Sequence, residues 1–213
     1  MDALGSRALA IARALDRDSL GPVTLHPYGF YIVATKEAVD EIPIRFHVWV
    51  EGLRRAQEPV WPPHCHRSTM TSHVLSGALT NVTWPRPLLG FGQPLYHTEI
   101  AEGRSYLHRT PVELTLGSPI AERVEAGSSY VVPKGIFHDT QVPLEASCVT
   151  LCLFHADRSG KSLVAGAVDA PAVVEANRLA LGEDEARRAL ALCCRALDTL
   201  TIGKRKRGVR RSA

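Results

Sequence analysis

The spacing of apolar residues changes character twice along the chain. Residues 2–16 place Leu4, Leu9, Ile11 and Leu15 near one stripe, which predicts an amphipathic helix. From Val23 to His155 the pattern becomes short β-type runs interrupted by proline and glycine: Phe30–Ala34, Ile44–Val50, His73–Val82, Val112–Leu116, Ser129–Val132 and Cys148–Phe154. Many short strands separated by turns predict an all-β sandwich or barrel. Trp84–Tyr96 holds three prolines and two glycines, so it reads as an excursion over the barrel mouth whose apolar residues line or cap a pocket. After Ser159 the pattern turns helical, over Pro171–Ala180 and more strongly over Glu183–Leu200. The second of these starts with three acidic residues at its positive end and sets Leu190, Cys193, Cys194 and Leu197 on one face.

These elements predict one domain over residues 1–203, with helix 2–16, a barrel over about 23–156 and helices over about 167–202. The length of 213 residues suits one domain with a real core. No apolar run approaches the roughly 20 residues of a membrane span, and the start lacks a secretory pattern. Cys65, Cys148, Cys152, Cys193 and Cys194 show neither an even count nor framework spacing, which predicts reduced thiols and a cytoplasmic setting. The net charge of +3 comes from Lys204, Arg205, Lys206, Arg207, Arg210 and Arg211, and the rest of the chain is net acidic. Nothing aromatic interleaves those cations, so residues 204–213 read as a solvated, disordered tail, not a nucleic-acid surface.

The chemistry concentrates in two stretches. His64-Cys65-His66 puts two imidazoles on one face of a strand, because side chains alternate sides, and turns Cys65 to the other face. Gly127-Ser-Ser-Tyr-Val-Val-Pro133-Lys-Gly135-Ile-Phe-His138 ends in a Pro-x-Gly turn that delivers a third histidine. Three convergent neutral imidazoles suit a first-row transition metal with positions left open for substrate.

The second stretch resembles the second motif of the cupin superfamily, G-x5-P-x-G-x2-H, at Gly127, Pro133, Gly135 and His138. The first cupin motif, roughly H-x-H-x3-4-E-x6-G, is similar to the segment carrying His64, His66 and Gly77. The glutamate slot falls on Met70 or Thr71. The resemblance covers about Pro43 to His155 and implies a double-stranded β-helix with a divalent metal on His64, His66 and His138, without the usual glutamate. Among cupins such a centre looks like the iron-dependent thiol dioxygenases and diketone-cleaving enzymes. It implies an Fe(II) dioxygenase acting with O2 on a small bidentate anion, such as a thiolate, enolate, catecholate or α-oxo acid. Imidazole serves Zn, Ni and Mn as well, so an isomerase, lyase or hydrolase stays open, as does a non-catalytic binding module. The resemblance also implies a homodimer.

Cysteine dioxygenase carries a Ser-x-His-x-Tyr pattern after its third ligand, whereas this chain has Thr150-Leu-Cys152-Leu-Phe154. Its thioether-forming cysteine would fall near Thr71, so that arrangement is not expected here. Tyr130 has inward parity with Val132 and is a candidate hydrogen-bond donor. His155, at a strand end, is a candidate general base. His73 has the opposite parity to His66, and His97 and His108 belong to the middle strands. Arg45 and Arg104 are candidate clamps for a substrate carboxylate.

Overall fold

The computed structural model describes residues 3–209 apart from Gln57, Pro59, Glu102, Gly103, 156–158 and 178–179. Asp2 of the first predicted helix and Arg210–Ala213 of the tail lie outside the described residues. In chain order the elements are α1 (Ala3–Ala12), β1 (Leu20–Leu25), β2 (Tyr31–Val39), β3 (Ile42–Trp49), β4 (His64–Cys65), β5 (Met70–Ser76), β6 (Ala78–Trp84) and β7 (Leu88–Ala101). They continue as β8 (Arg104–Thr115), β9 (Ile120–Glu125), β10 (Ser129–Val132), β11 (Phe137–Gln141), β12 (Cys148–Phe154), β13 (Leu163–Ala165), β14 (Val173–Asn177) and α2 (Glu183–Val209).

The strands form two antiparallel sheets, ordered β1-β2-β3-β12-β5-β10 and β14-β8-β7-β13-β4-β11-β6-β9. Neighbours distant in sequence, such as β3 with β12 and β4 with β11, give a jelly-roll sandwich. Parity explains its layers. On β3, Ile44, Phe46 and Val48 pack outward with Leu151 and Leu153 of β12 against Ala8 and Ala12 of α1 and Ala189 and Cys193 of α2. The alternate residue Trp49 packs inward with Phe30, Met70, Tyr130 and Cys152. Both faces of β12 are covered, which is why it reads as a near-continuous apolar run, whereas β3 alternates its outward Ile44, Phe46 and Val48 with Arg45 and His47. No helix among the described residues is long and apolar enough to cross a membrane.

Several sequence expectations need correction. The described residues of Pro171–Ala180 form no helix: the β-branched pair Val173 and Val174 opens β14, which pairs with Arg104–His108. Trp84–Tyr96 is not a loop over the mouth. Most of it belongs to β7, whose register with β8 shifts between Leu89 and Gln93 and again between Pro94 and Tyr96. Gly90 and Gly92 lie at φ 111°, and Pro94 sits at the second irregularity, where a ladder N–H can be spared. Leu88, Leu89 and Phe91 face solvent. The run His73–Val82 is two strands in different sheets, divided at Gly77. Helix α1 stops at Ala12, and Asp16 then caps a 3-10 turn at Arg17–Ser19 by accepting from the Ser19 N–H. Helix α2 begins at the predicted acidic turn, and its backbone runs on through Lys204–Arg207 to Val209.

Candidate metal centre

Backbone pairing brings the two motifs together. His64 on β4 is the direct cross-strand partner of His138 on β11, so both side chains share a face. The turn before β11 closes with the Ile136 N–H on the Pro133 carbonyl, and Gly135 adopts φ 76° within it. The Gly135 N–H then donates to the His66 carbonyl at 3.1 Å. The Pro-x-Gly turn is thus bonded to the strand whose histidines it must meet. Cys65 points away, buried with Leu95, Leu114 and Phe137, as parity requires.

The three rings converge, with centroids 4.9 Å (His64–His66), 4.5 Å (His64–His138) and 5.0 Å (His66–His138) apart. One donor nitrogen from each lies within 4.8 Å of the others. His64 Nδ1–H donates to the Pro62 carbonyl at 2.8 Å, and His138 Nδ1–H donates to Asn81 Oδ1 at 3.3 Å. These bonds fix the tautomers so that each Nε2 keeps its lone pair for a ligand. His138 Nε2 stands 3.0 Å from His66 Nε2. Two nitrogens at right angles on one metal, each about 2.1 Å from it, are about 3.0 Å apart, so the spacing matches cis ligation. Burial holds His64 below the ordinary histidine range and holds His66 and His138 well below it, with neighbouring histidine charges adding to the effect at the last two. All three are neutral donors at pH 7. The residues therefore fit a divalent transition metal.

A cavity of about 700 Å³ opens beside them, lined among others by Tyr28, Arg45, Trp61, His64, His66 and Phe154. His138, 2% exposed, is buried behind His66. Arg45 holds its guanidinium 4.0 Å above the Phe154 ring, which meets the His66 ring edge-on at 5.1 Å. Tyr28 packs 5.0 Å from His64 and donates its hydroxyl to the Trp61 carbonyl. Arg67 and Lys161 add two more cations, and no Asp or Glu lines the cavity among the described residues. Met70 fills the glutamate slot and is buried in the core between the sheets. Among the described residues the cavity wall is positive, and the anion whose charge reaches His64 is Asp139, the neighbour of His138.

The remaining candidates separate clearly. Arg45 stands at the cavity, whereas Arg104 is on the hairpin exterior, paired with Glu175 at 2.5 Å. Tyr130 lies in the inter-sheet core with Ser72 and Thr140 as hydroxyl partners, and burial pushes its phenol well up. His155 Nε2 is 2.9 Å from Thr71 Oγ1, and neither residue lines the cavity. His73 is buried on β5 with the parity of Leu75, the side facing the helices. Of Thr150, Cys152 and Phe154, only Phe154 reaches the cavity. No part of Trp84–Tyr96 lines it; Thr98, Ile100, Ser105 and Leu107 of the same hairpin do. Asn81, Tyr28 and Trp61 were not singled out from the sequence as site residues, and their types alone carry no signal for it.

No family model matches the sequence, and no curated protein matches it. Among solved structures it is similar to Drosophila melanogaster CENP-C bound to CAL1, at TM-score 0.40 and 9% identity, over 71% of this chain and 95% of that one. It is similar to the W96Y oxalate decarboxylase of Bacillus subtilis at TM-score 0.37 and 14% identity, over 68% of this chain but 29% of the decarboxylase. A cupin-like protein of Thermotoga maritima matches at TM-score 0.34 and 13% identity, over 75% of this chain and 87% of that one. The chain is a jelly roll of two antiparallel sheets in which both motif strands pair in register at a three-histidine pocket, the architecture that the resemblance to cupins implies.

Proposed function

We propose that the chain is a metal-dependent cupin enzyme, a mononuclear non-haem Fe(II) dioxygenase acting on a small bidentate anion. The observation that carries this reading is the convergence of three neutral imidazoles beside a cavity that is lined by cations and, among the described residues, by no carboxylate. A ferrous ion held there would supply open positions for substrate and O2 together with one-electron chemistry. The chain's residues do the rest. His64, His66 and His138 hold the ion, the first and last oriented by Pro62 and Asn81. Arg45, braced on Phe154, binds and orients the substrate carboxylate. Arg67 and Lys161 raise the local concentration of anions. Tyr28 and Trp61 form an aromatic wall that excludes water from one side.

The test is oxygen uptake by iron-loaded and zinc-loaded protein against a panel of thiol carboxylates, β-diketones, catechols and α-oxo acids. The reading predicts O2 consumption in step with loss of one class of substrate, with iron only. Turnover of the same substrate by the zinc-loaded protein without O2 would overturn it in favour of Lewis-acid chemistry.

A further inference from the structure

The β7–β8 hairpin carries a second histidine group on the face turned away from the cavity. Thr98 pairs with Leu107 and Ile100 with Ser105, and these four residues line the cavity. His97 pairs with His108 and Glu99 with Tyr106, so these alternate residues point the other way. The His97 and His108 rings stack 5.0 Å apart at 20°, and His108 Nε2 lies 3.5 Å from Glu99 Oε2. A donor atom from each of His97, Glu99 and His108 falls within 4.8 Å of the other two.

We infer that His97, Glu99 and His108 form a second divalent-cation site, separate from the three-histidine centre. The sheet fixes its geometry: a directly opposed pair and the next residue on the same face keep their Cβ atoms about 5 to 7 Å apart. That spacing lets two imidazoles and one carboxylate reach a common ion at about 2.0–2.2 Å, the donor set and distance that suit Zn²⁺. The side chains are partly exposed, His108 at 32% and Glu99 at 58%, which leaves room for the small rotations that close the shell and for water in the fourth position. The consequence reaches the cavity through the strand. The Thr98 N–H donates to the Ser162 carbonyl at 3.1 Å, and the Thr98 hydroxyl also donates to it at 3.4 Å, so the hairpin is tied to the segment that carries Lys161. A cation bridging β7 and β8 from behind stiffens that wall.

The test is Zn²⁺ titration by calorimetry on full-length protein, with His138→Ala and His108→Ala variants made separately and together. The His138→Ala protein is expected to bind one Zn²⁺ that the double variant does not bind. Glu99→Gln in the His138→Ala background is expected to weaken that binding at least tenfold, and Zn²⁺ is expected to slow amide exchange in the hairpin. Retention of that Zn²⁺ by the double variant, or its absence from a folded His138→Ala protein, would overturn the assignment. Because the two histidines are removed separately, failure of the central site leaves this result readable.

Discussion

Asn81 shows how much one uncharged side chain does at this centre. Its Oδ1 accepts the Nδ1–H of His138, and it does so from within the buried interior. Asn81→Leu keeps the volume and removes the acceptor, leaving the His138 ring free to take the wrong tautomer. Metal affinity should fall about 10- to 100-fold in a chelator competition, while Asn81→Asp should retain it. Affinity unchanged in Asn81→Leu would mean that packing alone orients the ring. Arg45 calls for the complementary experiment. Its guanidinium lies over Phe154 and does not belong to the ligand set, so Arg45→Met should keep metal content. Binding of a dicarboxylate probe such as oxalate should weaken about 10- to 100-fold, the equivalent of one charge-assisted hydrogen bond. Equal oxalate affinity in both proteins would remove Arg45 from substrate recognition.

At the level of elements, glycine placement decides where strands begin and end. Gly77 divides β5 from β6 at φ 75°, and a Cβ there would collide with the Ser147 carbonyl oxygen. Gly77→Ala should therefore cost at least about 1 kcal/mol in urea unfolding, through strain and displacement of the chain before β12. A smaller loss would show that the turn can relax. The same residue shows what the sequence discloses. Gly77, Gly127 and Gly135 stand at cupin-motif positions because each needs a positive φ, a local requirement that leaves a local trace. The parity of His64, Cys65 and His66 is equally local. β4 is different: two residues long, it exists only through pairing with β11 and β13, more than seventy residues away. β7 is hidden because Pro85 and Pro87 lie just before it and Pro94 sits at a register shift that absorbs it, and β14 reads as a helix because its partner β8, distant in sequence, decides its conformation. The three ligands were legible. Tyr28 and Asn81 arrive from other strands and turns, so their place at the site depends on the assembled sandwich.

Across the whole molecule, the buried histidines give acid pH a definite sign. His47, like the three candidate ligands, is held below the ordinary histidine range, chiefly by burial. Below pH 6.5 the unfolded chain takes up protons that the folded chain refuses, so stability falls as pH falls, by up to about 1.4 kcal/mol per pH unit for each group. The metal-free protein should lose urea resistance between pH 6.5 and 5. Asp16 and Glu185, held low by Ser19 and Arg55, add their losses only further down, in the carboxylate range. A flat urea midpoint between pH 6.5 and 5 would mean that the histidines are hydrated in the folded state. The central claim, that both motifs meet to hold a metal, is tested most directly by elemental analysis of protein purified without oxygen beside its His138→Ala variant. The account predicts close to one iron per chain in the first and its loss in a folded second. No transition metal in the native protein, or the same iron content in both, would contradict it.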